Sequence, residues 1–147
     1  MMNSCYVSIR YLHSTTIDVT PFAVGGPYQV QLTQNAGDYP IYDSGVATIG
    51  PSVEYPSTYY GYYSVNLKLR KMTITHLMGG TWSSSPGTSW GPVVTSLTSG
   101  ANLPQPAYFI SYTAANPGIL TSTATTIALD WGASVTFNPG DEIVIGW

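Results

Sequence analysis

The chain has 147 residues, of which only 7% are Asp, Glu, Lys or Arg, and its formal net charge is −3. Soluble domains carry about 25% of such residues, so the charged fraction of this chain is unusually low. Four basic side chains cannot neutralise a nucleic-acid backbone, so the composition disfavours direct binding to nucleic acid. No window of about 20 residues is continuously apolar, which argues against a transmembrane helix, and the single cysteine, Cys5, cannot form an intramolecular disulfide.

Alternating apolar and polar residues predict strands along the first third of the chain. The cleanest alternation places Val30 and Leu32 on an apolar face between polar neighbours. We expect residues 1–27 to include a partly extended N-terminal arm. The strands predicted in this part of the chain cover residues 5–12, 28–33, 41–42 and 46–49.

The alternation changes sides within residues 62–78. Apolar residues occupy odd positions up to Leu69 and even positions from Met72 onward. Because neighbouring strand residues point to opposite faces, a one-residue slip moves every later side chain to the other face. The pattern predicts either one strand with a bulge near Arg70 and Lys71 or two strands that meet at a sheet corner.

No segment has a helical pattern, since 15 Gly and 11 Pro interrupt the chain. Residues 138–141, Asn-Pro-Gly-Asp, predict a turn, because Pro presets one dihedral angle and Gly accepts a positive φ. Roughly eight to ten strands in total indicate an all-β fold, and we expect one domain, a two-sheet antiparallel sandwich, over residues 1–147. The later strands are predicted at residues 93–97, 107–113, 125–131, 134–137 and 142–147.

Two segments concentrate aromatic side chains, namely residues 55–63 and the long Gly- and Ser-rich loop at 79–92. Such flat, amphipathic rings suit contact with a neighbouring subunit or stacking on sugar rings. We therefore predict assembly or recognition contacts at Tyr59, Tyr60, Tyr62, Tyr63, Trp82 and Trp90.

No catalytic, cofactor or metal site is predicted. Residues 87–91 match the Gly-x-Ser-x-Gly pattern of a hydrolase nucleophile elbow, but β-branched residues follow where that motif needs a helix. His13 and His76 lack a second ligand at metal spacing, and we expect polar roles for them at the surface or at an interface. Asp141 and Glu142 are adjacent, so on a strand they would point to opposite faces rather than share a proton. We therefore do not expect an enzyme.

Residues 28–147 combine short strands, long Gly/Pro/Ser-rich loops and a predicted closing hairpin over residues 137–145. In this pattern the chain resembles the single jelly-roll coat proteins of icosahedral viruses. The resemblance implies a jelly roll of about eight strands in two facing sheets, and a capsid subunit that contacts copies of itself and other virion proteins. It also implies location in the virion. The missing basic arm departs from the coat proteins of small viruses that contact their genome directly, and this departure favours shells whose genome is handled by other components.

The low charge supports the same interpretation, because interface cores are depleted in Lys, Glu and Asp and enriched in Tyr and Trp. A secreted or extremophile protein with a neutral surface would share this composition. Two alternatives from other classes stay open. One is a carbohydrate- or receptor-binding module that uses Trp82, Trp90 and the tyrosines, and the other is a β-sandwich enzyme with His13 or His76 near a carboxylate.

Overall fold

A computed structural model describes residues 29–36, 39–68, 70–82, 90–97, 106–132 and 134–147. The strand predicted at residues 5–12 and the arm predicted within residues 1–27 lie outside these ranges. The described residues form strands joined by turns and irregular segments, and none of them forms a helix that could span a membrane. The strands are β1 (Gln29–Ala36), β2 (Tyr39–Thr48), β3 (Tyr55–Thr58), β4 (Tyr63–Lys68), β5 (Lys71–His76), β6 (Gly80–Trp82), β7 (Trp90–Ser96), β8 (Tyr108–Tyr112), β9 (Ile119–Ser122), β10 (Thr126–Asp130), β11 (Val135–Phe137) and β12 (Glu142–Gly146).

These strands build two five-stranded sheets and one two-stranded sheet. Sheet A has the order β2-β1-β7-β10-β9, sheet B has the order β3-β4-β5-β12-β8, and sheet C is the pair β11-β6. Inward side chains of sheet A, such as Leu32 and Ile127, share one buried cluster with Ile74 and Ile145 of sheet B. The predicted all-β, two-sheet antiparallel sandwich is confirmed, and its jelly-roll connectivity stays a prediction.

The hairpin of β4 and β5 explains why the alternation changes sides near residue 70. Lys68 pairs with Lys71 and Val65 pairs with Ile74, so partners across the two-residue turn have opposite parity. Inward residues are therefore odd in β4 and even in β5. Arg70, in the turn, has a φ of 55°. The structure thus shows neither a bulged single strand nor a sheet corner, but a tight turn between two paired strands of one sheet.

The turn at residues 138–141 is confirmed, but the hairpin predicted over residues 137–145 is wrong. The Asp141 backbone nitrogen donates to the Asn138 carbonyl at 3.0 Å, and Gly140 has a φ of 90°. This is the geometry of a type II turn. The flanking strands go to different sheets, since β11 pairs with β6 whereas β12 pairs with β5 and β8. The turn therefore moves the chain from one sheet to another.

Two buried tyrosine hydroxyls link sheets A and B. The Tyr63 hydroxyl donates to Gln34 Oε1 at 2.7 Å. The Tyr55 hydroxyl lies 3.1 Å from the Val30 carbonyl oxygen and 2.9 Å from the Gly45 carbonyl oxygen. Burial raises the pKa of Tyr55 to about 12 and raises the pKa of Tyr63 as well, so both hydroxyls stay protonated donors. Each hydroxyl thus finds a hydrogen-bond acceptor on the facing sheet, as buried polar groups require.

Candidate assembly and recognition surfaces

The turn between β3 and β4 holds the predicted tyrosines in an unusual conformation. Tyr59, Tyr60 and Gly61 have φ angles of 48°, 57° and 83°, and the Tyr62 backbone nitrogen donates to the Tyr59 carbonyl at 3.2 Å. Residues 59–62 form the turn, and positive φ at its two central residues, Tyr60 and Gly61, defines type I′. This turn type favours Asn and Gly at those positions. A bulky residue in this region costs on the order of 1 kcal/mol, so surrounding contacts have to hold Tyr59 and Tyr60 there.

Ring contacts supply that packing. Tyr42 of β2 has its ring centroid 5.6 Å from that of Tyr59 and 5.0 Å from that of Tyr60. Tyr59 and Tyr62 pack on Trp82 of β6, with centroid distances of 5.5 and 5.2 Å. Because β2 and β3 are edge strands of the two large sheets, these rings close one side of the sandwich. We call the cluster of Tyr42, Tyr59, Tyr60, Tyr62 and Trp82 the tyrosine flank.

The predicted contact residues of this region differ in accessibility. Tyr60 is 74% exposed, Tyr59 and Tyr62 are half-buried, and Trp82 is only 7% exposed. Tyr63 is fully buried, because its ring lies in the core and its hydroxyl binds Gln34. A ring enclosed by its own chain has no surface to offer a sugar or another subunit. Tyr63 and Trp82 therefore serve the core, and Tyr60 is the ring that projects from this flank.

Trp90 lies elsewhere in the fold, at the first position of β7. Its side chain is half-buried, and its indole nitrogen is buried without a hydrogen-bond partner. Its backbone nitrogen donates to Asp130 Oδ1 at 3.0 Å, and its carbonyl accepts from the Trp131 nitrogen at 2.6 Å. Among the described residues, no ring contact joins Trp90 to the tyrosine flank. Residues 83–89, which hold most of the Gly-x-Ser-x-Gly match, lie outside the described ranges.

His76 lies in the core, so the surface or interface role expected for it is wrong. It is 1% exposed, and its ring stacks on Phe137 with a centroid distance of 3.7 Å and an interplanar angle of 13°. Trp131 lies 5.0 Å away, and neither imidazole nitrogen has a hydrogen-bond partner. Burial lowers the pKa of His76 from 6.5 to about 4, although the nearby Asp141 carboxylate acts to raise it. His13 lies outside the described residues.

Asp141 has a structural role beside this core. Its carboxylate accepts from the Asn138 backbone nitrogen at 2.7 Å and from Thr113 Oγ1 at 3.0 Å. These hydrogen bonds, the one from Asn138 foremost, lower the pKa of Asp141. Within the described ranges, no group of three His, Cys, Asp or Glu side chains is placed to hold a metal ion.

Basic side chains gather at one place, the turn between β4 and β5. Lys68, Arg70 and Lys71 lie in or beside this turn. Lys68 Nζ donates to the Gly50 carbonyl at 2.7 Å and lies 4.0 Å from Glu54 Oε1. These contacts tie the turn to the loop before β3. The basic run is thus partly engaged within its own chain.

The edge strands β8 and β9 lie on the opposite side of the sandwich and contain no charged residue of their own, although Asp130 lies opposite Ile119 and the Asp141 carboxylate accepts from Thr113. The sequence contains no Asp, Glu, Lys or Arg from residue 72 to residue 129, a range that includes both strands. The Ala107 backbone nitrogen donates to Ser122 Oγ at 2.9 Å, which connects the two edges. We call β8, β9 and residues 113–118 between them the neutral flank. Its exposed large side chains are Tyr108 (49%), Ile110 (39%), Tyr112 (48%) and Ile119 (58%).

The sequence analysis missed the neutral flank as a surface. It placed a strand at residues 107–113 but none at Ile119–Ser122, and it assigned contacts to aromatic loops only. The run without charge from residue 72 to residue 129 was the signal that could have found it. The run indicates a surface only once the fold shows that two strands within it, β8 and β9, are edge strands on one side of the sandwich.

No protein-family model, curated protein or solved structure matches the chain.

Proposed function

We propose that this protein is a structural subunit of a viral capsid, which assembles through its sides with copies of itself and with other virion proteins. The neutral flank carries the proposal, since its own residues include four exposed large apolar side chains and no charged one, although Asp130 lies opposite Ile119. Monomeric proteins rarely leave a large apolar patch uncovered, and interface cores are poor in charge and rich in Tyr. A side surface of this composition supports burial between subunits.

The tyrosine flank supports the same function from the other side of the sandwich. Tyr60 is 74% exposed and stands on a strained turn that ring contacts hold in place. Exposed rings on a rigid turn are suited to anchor a neighbour, because little conformational entropy is lost when they are covered. Two opposed contact sides allow each subunit to meet two others, as closed rings and shells require.

The charge distribution supports a shell role without direct genome contact. The whole chain has four basic residues, and three of them lie at the β4–β5 turn. Binding to nucleic acid draws most of its affinity from phosphate neutralisation by many Lys and Arg side chains. The chain lacks the means for such binding, so other components would have to contact the genome.

The test is the association state of the purified wild-type protein. Light scattering across a concentration series is expected to show oligomers, and electron microscopy is expected to show rings, shells or sheet-like arrays. The double variant Ile110→Ser with Ile119→Ser removes two of the exposed apolar side chains of the neutral flank. It should shift the protein toward single chains. A wild-type protein that stays a single chain at high concentration near neutral pH would contradict the proposed function.

A further inference from the structure

The exposed tyrosines of the fold differ in what lies beside their rings. Tyr60 is 74% exposed, Tyr108 49% and Tyr112 48%. Among the described residues, Tyr112 contacts the ring of Phe109 and Tyr108 contacts no ring. Tyr60 instead lies against Tyr42, with ring centroids 5.0 Å apart and an interplanar angle of 60°. Within the described part of the chain, Tyr60 is thus the exposed phenol that has another phenol next to it.

The contact between Tyr42 and Tyr60 joins the edges of the two large sheets. Tyr42 lies in β2 at the edge of sheet A, and Tyr60 directly follows β3 at the edge of sheet B. Tyr60 has a φ of 57°, at a turn position where glycine or asparagine would fit with less strain. Strained positions of this kind cluster at functional sites. The strained turn holds a phenol of one sheet against a phenol of the other.

The geometry of the tyrosine flank selects this pair over its neighbours. Tyr59 and Tyr60 are adjacent in sequence, so a bond between their rings would close a small, strained ring. Tyr42 and Tyr59 are perpendicular, with centroids 5.6 Å apart. Tyr59 also packs on Trp82 and Tyr62, which restrict its rotation. Tyr42 and Tyr60 have the shortest centroid distance of these pairs, and the exposed ring of Tyr60 has room to turn.

We propose that Tyr42 and Tyr60 form a modification site, at which a one-electron oxidant in solution joins the two rings as dityrosine within one chain. Each phenol gives one electron to the oxidant and its hydroxyl proton to water. The two phenoxyl radicals form one carbon–carbon bond, between ring carbons that neighbour the hydroxyl-bearing carbons. The hydrogen on each joined carbon then moves through water to a phenol oxygen. The product has two hydrogen atoms fewer than the two tyrosines.

The buried tyrosines of the core are protected from the same reaction. Tyr63 is fully buried, and its hydroxyl donates to Gln34 Oε1 at 2.7 Å. Tyr55 is 5% exposed, and its hydroxyl lies 2.9 Å from the Gly45 carbonyl oxygen. An oxidant in solution cannot touch these rings, and their phenolic protons have no water to leave to. Oxidation is therefore directed to the tyrosine flank.

A bond between Tyr42 and Tyr60 would close one side of the sandwich covalently. It would tie β2 of sheet A to the turn after β3 of sheet B and enclose residues 43–59 in a loop. Cross-links of this kind stabilise a fold by restricting the unfolded chain. The reaction takes place on a single chain whose flank is uncovered, so it does not depend on the assembly function proposed above.

The first test measures dityrosine fluorescence after brief illumination of the dilute wild-type protein with ruthenium tris-bipyridyl and persulfate. Tyr42→Phe and Tyr60→Phe keep the ring contact but cannot form a phenoxyl radical at that position. Each variant is expected to lose most of the fluorescence of the single-chain fraction. Tyr108→Phe is the matched control, because it removes an exposed phenol that has no ring partner among the described residues, and it should retain the signal.

The second test locates the bond. Trypsin together with a glutamate-specific protease separates residues 11–54, which hold Tyr42, from residues 55–68, which hold Tyr60. In the oxidised wild type the two fragments are expected to stay joined, with a mass lower by two hydrogen atoms than their sum. Fragmentation in the mass spectrometer should place the bond at Tyr42 and Tyr60. The melting temperature of the oxidised wild type should rise by several degrees, and that of Tyr60→Phe treated in the same way should not.

The outcomes also keep this proposal separate from the assembly function. Unchanged single-chain fluorescence in Tyr42→Phe or Tyr60→Phe, a bond mapped to another pair, or coupling that gives only covalent dimers on reducing gels would each overturn the cross-linking site. A wild-type protein that never associates contradicts the assembly function and leaves the cross-link standing, since that is measured on single chains.

Discussion

At the scale of single residues, the buried His76 makes the stability of the core depend on pH. The imidazole is 1% exposed, stacks on Phe137 and has no hydrogen-bond partner for either nitrogen. A charge in this position would be poorly solvated, which is why the pKa falls from 6.5 to about 4. The unfolded chain, with the ordinary pKa, takes up the proton first as the pH falls.

Stability is therefore expected to decrease between pH 6.5 and pH 4. The contribution of His76 is fully present above the unfolded pKa of 6.5 and is lost as the pH falls toward the folded value of about 4. The loss would be about 3 kcal/mol in the free energy of unfolding, since one pKa unit corresponds to roughly 1.4 kcal/mol. Urea titrations at several pH values measure it.

The matched variant is His76→Phe, which keeps an aromatic ring against Phe137 and removes the titrating group. Asp141 also has a lowered pKa, to which His76 contributes, and it loses its ionised form on acidification in both proteins. The difference between the two proteins therefore reports the histidine together with its coupling to Asp141. Parallel pH profiles for the wild type and the variant would show that His76 does not titrate in this range.

The placement of the predicted tyrosines shows what residue patterns can and cannot predict. Tyr63 shares odd parity with Val65 and Leu67, so the alternation already indicated that it points inward. Tyr60 has no such neighbours, because it lies in the turn. Its position depends on a ring contact with Tyr42, which is distant in sequence and comes close because β2 and β3 are edge strands on the same side of the sandwich. Local patterns do not contain that information.

At the scale of strands, Gly91 marks a close approach between β7 and β10. A Cβ at this position would overlap the Leu129 carbonyl oxygen, a backbone atom that cannot turn aside. Gly91→Ala is expected to lower the free energy of unfolding by ~2 kcal/mol or more. The control is Gly50→Ala, where an added Cβ meets nothing within 4 Å. Thermal unfolding of both variants measures the difference, and equal melting temperatures would contradict the close packing.

Most of the longer strands were predictable, and most of the short ones were not. Residue patterns predicted β1, β7, β10 and β12 with bounds within a few residues, and they also located the three-residue β11 beside a turn signal. β3, β6 and β9, with three or four residues each, were missed, because so few residues make no clear pattern. The failed hairpin at residues 137–145 has a similar cause, since a turn motif does not determine which sheet receives the next strand.

At the scale of the whole molecule, charge is segregated. The β4–β5 turn and the loop before β3 carry Lys68, Arg70, Lys71 and Glu54, whereas the strands from β6 to β9 carry no charge. The sequence alone predicted an all-β subunit of low charge with aromatic contact residues for assembly or recognition. Only the strand order shows that two of these uncharged strands, β8 and β9, are the edges opposite the tyrosines.

Association through an uncharged flank is expected to resist salt. Screening weakens contacts between ions, but it leaves burial of apolar surface intact and reduces the repulsion between copies of net charge −3. Sedimentation at low and at high sodium chloride should give equal or stronger self-association at high salt. Dissociation of the oligomers by salt would show that ion pairs, rather than the neutral flank, hold the copies together.

The gathering of basic residues at the β4–β5 turn has a consequence for proteolysis. Trypsin cuts only after lysine or arginine, and beyond Arg10 the sequence offers it Lys68, Arg70 and Lys71 alone. All three sit at a two-residue connection between paired strands, where a protease needs local opening before it can bind the backbone. Cleavage at these three residues in the native protein would therefore report on the opening of a single hairpin, and it would leave Met72 to Trp147 as one uncut polypeptide.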